Sequence, residues 1–165
     1  ITIIILAVII IIGLILIIGL LVLSKRTTLQ LPNEKALYTL GGPYDVDYNL
    51  INEHPYLENL QPVYFYSGEK IIAKTNKPLN KDSFITLIDA LIKSRYIEIG
   101  GSHQEMQINN REVFEEPDAI RIVDKGIHSS FNDTPPFETY YKEIILEYVY
   151  NKNDNKIYFK PSSIE

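Results

Sequence analysis

The alternation of apolar and polar positions divides the chain into two unlike parts. Residues 1 to 23 are Ile, Leu, Val and Ala, broken by Gly13 and Gly19 and by one polar residue, Thr2. At ~1.5 Å per residue, a helix of that length reaches about 35 Å, enough for a hydrocarbon layer of ~30 Å. The pattern therefore predicts a membrane-spanning helix over residues 1–24, with Ile4, Val8, Ile11, Leu16, Leu20 and Leu23 as anchor positions and Lys25 and Arg26 at the interface. A secretion signal has a shorter apolar run of ~7–15 residues and a small-residue cleavage site. The run here ends at Leu23-Ser24-Lys25-Arg26 without one.

Residues 25–45 read as a connector, marked by Pro32 and the Gly41-Gly42-Pro43 breaker. Residues 46–165 read as one α+β domain. Within "VDYNLINEHPYLENLQP", Val46, Leu50 and Ile51 have helical spacing, and Pro55 ends any helix near His54. "VYFYSGEKIIAK" predicts a hairpin turning at Ser67-Gly68. The clearest element follows: Phe84, Ile85, Leu87, Ile88, Leu91 and Ile92 line one face of a helix from about Asp82 to Arg95. Asn80 or Asp82 caps it, and Asp89 pairs with Lys93 four residues on. A strand Tyr96–Ile99 comes next. "EMQIN" and "AIRIVD" alternate as half-buried strands, "HSSFNDTPPFET" reads as a loop, and the chain closes in a hairpin with Ile144, Leu146, Tyr148 and Tyr150 on one face. Six or seven short strands grouped around one helix predict a mainly antiparallel sheet with one amphipathic helix on it, behind a single transmembrane helix.

Charge and cysteine usage narrow the chemistry. Every charged residue lies beyond Ser24, and the net charge of −5 belongs to that part. A mildly acidic domain without a Lys/Arg cluster excludes nucleic acid as a partner. The absence of cysteine removes disulfides, thiolate metal sites and thiol nucleophiles.

Candidate catalytic groups are dispersed. His54, His103 and His128 are far apart; His103 and Glu105 share a strand face but lack the further ligands a metal needs. Glu112, Glu115, Glu116 and Asp118 crowd one stretch without the glycine and Asp/Asn spacing of a calcium loop, and read as a solvated charged loop. Ser129-Ser130 beside His128 has no nucleophile-elbow glycines. The expectation is a protein that is not an enzyme, with no cofactor and no metal. Aromatic residues on the predicted hairpins, Tyr64, Tyr66, Tyr140, Tyr148 and Tyr158, are candidates for a protein interface, because strands send alternate side chains to opposite faces.

Together these features predict a non-catalytic accessory or structural subunit, held by one span to a lipid bilayer and contacting other protein subunits of a larger assembly. The span carries no ionisable residue that would mark an ion path. Lys25 and Arg26 alone place the domain in the cytoplasm; basic residues before Ile1 would reverse this, and the expectation is an extracytoplasmic domain. The alternative is a filament subunit. A hydrophobic N-terminal helix ahead of a β-rich domain resembles type IV pilins and their archaeal relatives in layout, which implies residues 1 to 23 in a filament core. The chain departs from the bacterial members at Ile5, where they usually carry glutamate, and at Pro32, where their helix continues.

Overall fold

The computed structural model describes residues 37–41, 46–100, 104–132, 134–135 and 138–164 of the 165. In chain order the elements are β1 (Tyr38–Gly41), α1 (Leu50–Glu53), β2 (Leu57–Glu58), β3 (Val63–Tyr64), β4 (Lys70–Thr75), α2 (Lys81–Lys93), β5 (Ile97–Glu98), β6 (Gln104–Glu115), β7 (Ala119–Asn132), β8 (Glu138–Asn151) and β9 (Lys156–Ile164). A seven-stranded sheet runs β1-β6-β7-β8-β9-β4-β2, and β3 pairs with β5 in a separate two-stranded sheet.

Consecutive antiparallel pairing builds the centre of the large sheet. Along β8 burial alternates strictly from Ile144 to Tyr150, so Ile144, Leu146, Tyr148 and Tyr150 face the core. The register places Ile120 and Ile122 of β7 and Ile157 and Phe159 of β9 on that same face. Against it lies α2, which buries Phe84, Leu87, Ile88, Leu91 and Ile92. Asn80 starts this helix by accepting the Ser83 N–H at 2.8 Å, a cap that contributes about 1 kcal/mol. Ser94 ends it, and Arg95 then adopts the left-handed region (φ 65°), turning the chain into β5. The opposite face of the sheet mixes Arg121, Lys125 and Glu147 with Val123, Ile145 and Val149.

Several elements differ from the sequence pattern. Residues 63–75 do not form a hairpin: β3 runs parallel to β5, while β4 joins the large sheet beside β9. The 3-10 turn Phe65–Ser67 and Gly68 (φ 73°) separate them. Local alternation could not show this, because either strand is an equally good partner for a neighbour in sequence or for a distant one. Of the stretch read as a loop, residues 128–132 are the end of the 14-residue strand β7, and residues 138–139 already begin β8. Within the connector, where Leu37, Tyr38 and Leu40 also allow a short first strand or a turn of helix, the structure has strand β1.

The membrane reading is corrected. Among the described residues no helix is long and apolar enough to cross a membrane. The longest, α2, has 13 residues and reaches only about 20 Å, and one of its faces is polar. Residues 1–24, where the span was expected, lie outside the described residues, as do anchor positions Ile4, Val8, Ile11, Leu16, Leu20 and Leu23 and the interface pair Lys25 and Arg26. The membrane-held structural subunit, its bilayer partner, its extracytoplasmic placement and the filament-core alternative all rested on that one helix. Among the described residues, the structure shows a sheet-and-helix domain with its own core.

Candidate functional site

One charged cluster interrupts the apolar layer between α2 and the sheet. Asp124 sits on β7 two residues beyond Ile122, in the core-facing phase, and is fully buried. Directly opposite it in the register is Arg111 of β6. The guanidinium grips both carboxylate oxygens, Nε to Oδ1 at 2.7 Å and the second nitrogen to Oδ2 at 2.8 Å. Its remaining terminal nitrogen donates to Asp89 Oδ1 on α2 at 2.5 Å. Tyr38 of β1 closes the arrangement, its hydroxyl donating to the same Asp89 oxygen and its ring lying 5.3 Å from the Arg111 guanidinium. Four elements are thus tied together at one point.

The electrostatics follow from burial. Desolvation works against the Arg111 charge, but the bonds and charges of Asp124 and Asp89 outweigh it and hold the guanidinium even more firmly protonated than usual. Burial pushes the Asp124 carboxyl up, opposed by the two bonds from Arg111. Tyr148 brings its buried hydroxyl up to Asp124 without completing a hydrogen bond, and burial first, then the Asp124 charge, drive that phenol well above its ordinary value.

The outer side of the cluster opens on a groove of about 520 Å³, walled by Leu37, Tyr38, Asp89, Asn109, Asn110, Arg111 and Val113. A bulge between Ile108 and Asn110 shapes its floor by inserting Asn109 as an extra residue. Asn109 Oδ1 is buried in the wall, with no hydrogen-bond partner among the described residues. The Asp89 side chain is 43 % exposed and that of Arg111 only 13 %. Both cluster bonds to Asp89 use Oδ1, and among the described residues Oδ2 takes none. One guanidinium faces two carboxylates, which leaves the groove a surplus of one negative charge.

Tyr38 supplies a pH-dependent readout. Burial, with the bond to Asp89, raises its phenol from 10.0 to about 12. The neutral phenol is therefore favoured in the fold, and its stabilising contribution is complete below the unfolded value of ~10 and lost as pH rises through about 12. The expected result is a late phenolate step in the absorbance titration that is lost in Tyr38→Phe and therefore stands out in the difference between wild type and variant. A Tyr38 phenolate forming near pH 10 would contradict the geometry.

The residues singled out in the sequence are scattered by the fold. Tyr66 is 81 % exposed and stacks on half-buried Tyr64 at 5.5 Å. Tyr140 is exposed and donates to Glu138, and Tyr158 donates to Asp154. Tyr148 is in the core, stacked on Phe159. Tyr148 therefore lies inside the core, while Tyr66 and Tyr140 are exposed. His54 bonds to Tyr56, His128 is half-buried on β7 near the Phe65 ring, and His103 lies outside the described residues. Glu112 pairs with Lys125, Glu116 with Arg121 and Glu115 with Lys152, so this acidic stretch is spread over separate surface ion pairs. Among the described residues, no three His, Asp or Glu side chains converge as a metal site would require. The Arg111 cluster was missed, yet one signal for it stood in the sequence: Asp124 continues the buried phase of Ile120 and Ile122, where a carboxylate needs a cation. Compared with known proteins, the chain matches no family model, no curated protein and no solved structure.

Proposed function

We propose that this domain is a non-catalytic binding module whose groove at Asp89 takes a cationic group, such as an ammonium or guanidinium. The observation that carries this reading is the open Oδ2 of Asp89, half-exposed in a groove with surplus negative charge. A cation there gains Coulomb attraction without displacing Arg111, which keeps its bonds to Asp124. The groups that would be asked to do chemistry are already engaged. Asp124 is sealed behind Arg111, and a phenol held near 12, as Tyr38 is, transfers a proton poorly at neutral pH.

The test is a titration of the full chain, followed by amide NMR, with Nα-acetyl-lysine N-methylamide and its uncharged norleucine counterpart. The lysine derivative is expected to shift the amides of Asp89, Asn110 and Arg111. The norleucine derivative should leave them in place, and Asp89→Asn should abolish the lysine response. Equal shifts with both derivatives would overturn the reading.

A further inference from the structure

The outer edge of β6 changes character halfway along its length. Its first part is covered: β1 pairs with it from Gly41↔Glu105 to Tyr38↔Ile108, and the Leu37 N–H donates to Ile108 O at 2.7 Å. Past the bulge, residues 110–115 pair with β7 on one side, and no described strand lies on the other. The Glu116 N–H bonds to Ala119 O across the hairpin, so the Glu116 backbone points towards β7. Backbone direction alternates along an antiparallel strand, so the N–H and C=O groups of Arg111, Val113 and Glu115 point outward. Ile108, facing β1 on the other side of the bulge, fits the same phase. None of these three residues bonds through its backbone to another described element.

We propose that this edge is a strand-addition site and that its occupant is an extended peptide carrying a basic residue that enters the Asp89 groove. The proposal rests on the groove reading and adds the class of ligand. Three outward residues offer three donors and three acceptors over five residues of strand, about 17 Å long. The side chains in the same phase select the sequence. The peptide residue opposite Arg111 lies beside the groove and its surplus negative charge. The one opposite Val113 meets the partly buried, apolar side chain of Val113. The one opposite Glu115 faces an exposed carboxylate whose only described ion pair is a long one, 3.7 Å to Lys152. Alternation then asks for basic, any, apolar, any, basic. The strand runs antiparallel to β6, so that the peptide residues directly opposite Arg111, Val113 and Glu115 turn their own N–H and C=O groups towards them.

The probe is the peptide acetyl-Lys-Thr-Val-Thr-Lys-amide, titrated into the full chain with amide NMR and hydrogen exchange. Binding is expected to slow exchange at Arg111, Val113 and Glu115. N-methylation of the peptide's valine removes a donor that faces β6 and should weaken binding roughly tenfold, whereas N-methylation of both threonines, whose amides face solvent, should not. If both methylated peptides bind as well as the parent, strand addition is overturned, while a retained response to the single lysine derivative leaves the groove reading standing. If the peptide protects the edge equally well in Asp89→Asn, the placement of the basic residue is overturned. If neither peptide nor lysine derivative shifts any groove amide, both readings fall.

Discussion

Arg111→Met is expected to destabilise the domain by about 3–5 kcal/mol, measured by urea unfolding at neutral pH. The size comes from what is left behind. Asp124 has no exposed surface and both of its oxygens are held by the one guanidinium, so removing Arg111 strands a buried carboxylate among Ile122, Leu146 and Tyr148. The loss should depend on pH in a definite sense. Without Arg111, burial and then the Asp89 charge act on Asp124 with little to oppose them, and raise its folded pKa further above the unfolded value of ~3.9. A raised carboxyl is best tolerated protonated, so the variant should be closest to wild type in acid and fall away as pH rises through that folded value. The double variant Arg111→Met/Asp124→Leu should recover most of the loss, since replacing a whole buried pair by apolar groups is often neutral. A single variant within 1 kcal/mol of wild type at neutral pH would show that water reaches Asp124.

Gly126→Ala should cost on the order of 3 kcal/mol or more, for a steric reason. Gly126 pairs with Ile108 immediately beside the bulge in β6. There the backbone of β6 crosses so closely that an added Cβ would lie 2.0 Å from the Gln107 carbonyl oxygen and 2.9 Å from Ile108 Cα. These are backbone atoms in a paired strand, so no side-chain rotation relieves the contact. The bulge would have to open, and with it the groove wall that Asn109 forms. The expected readout is a lowered urea midpoint together with altered amide shifts at Asn109 and Asn110. A variant of unchanged midpoint would mean that β6 can slide at the bulge.

The stability of the cluster and its use as a site are linked through Asp89. The sequence pairs Asp89 with Lys93 on the helix surface; in the structure it turns to Arg111 and Tyr38 instead. The reason is the desolvated setting: a carboxylate near a buried guanidinium gains more than one near a solvated lysine at i+4, where such a pair is worth only ~0.3–0.5 kcal/mol. Asp89 therefore pins α2 to the sheet through one oxygen and presents the other to solvent.

Some features could be read directly along the chain. Helix α2 follows from the spacing of Phe84, Leu87, Ile88, Leu91 and Ile92, and its start from Asn80, because a helix face and a cap depend on residues within a few positions of each other. The same holds for the last hairpin, where the Asn-rich turn after Asn151 leaves Asn155 with φ 56° and the alternation of β8 marks its buried face. Strand lengths, partners and sites are decided at long range. Nothing near Val63 says that its partner is Ile97, and nothing near Ser129 says that β7 continues through it opposite Tyr141. The Arg111 cluster draws its residues from positions 38, 89, 111 and 124, which come together only when β1, α2, β6 and β7 do. Local sequence thus determined the periodic elements. The tertiary fold alone decided the charge cluster, the groove and the open strand edge, because each is made of groups whose partners are distant in the chain and whose energies appear only once water has been excluded between them.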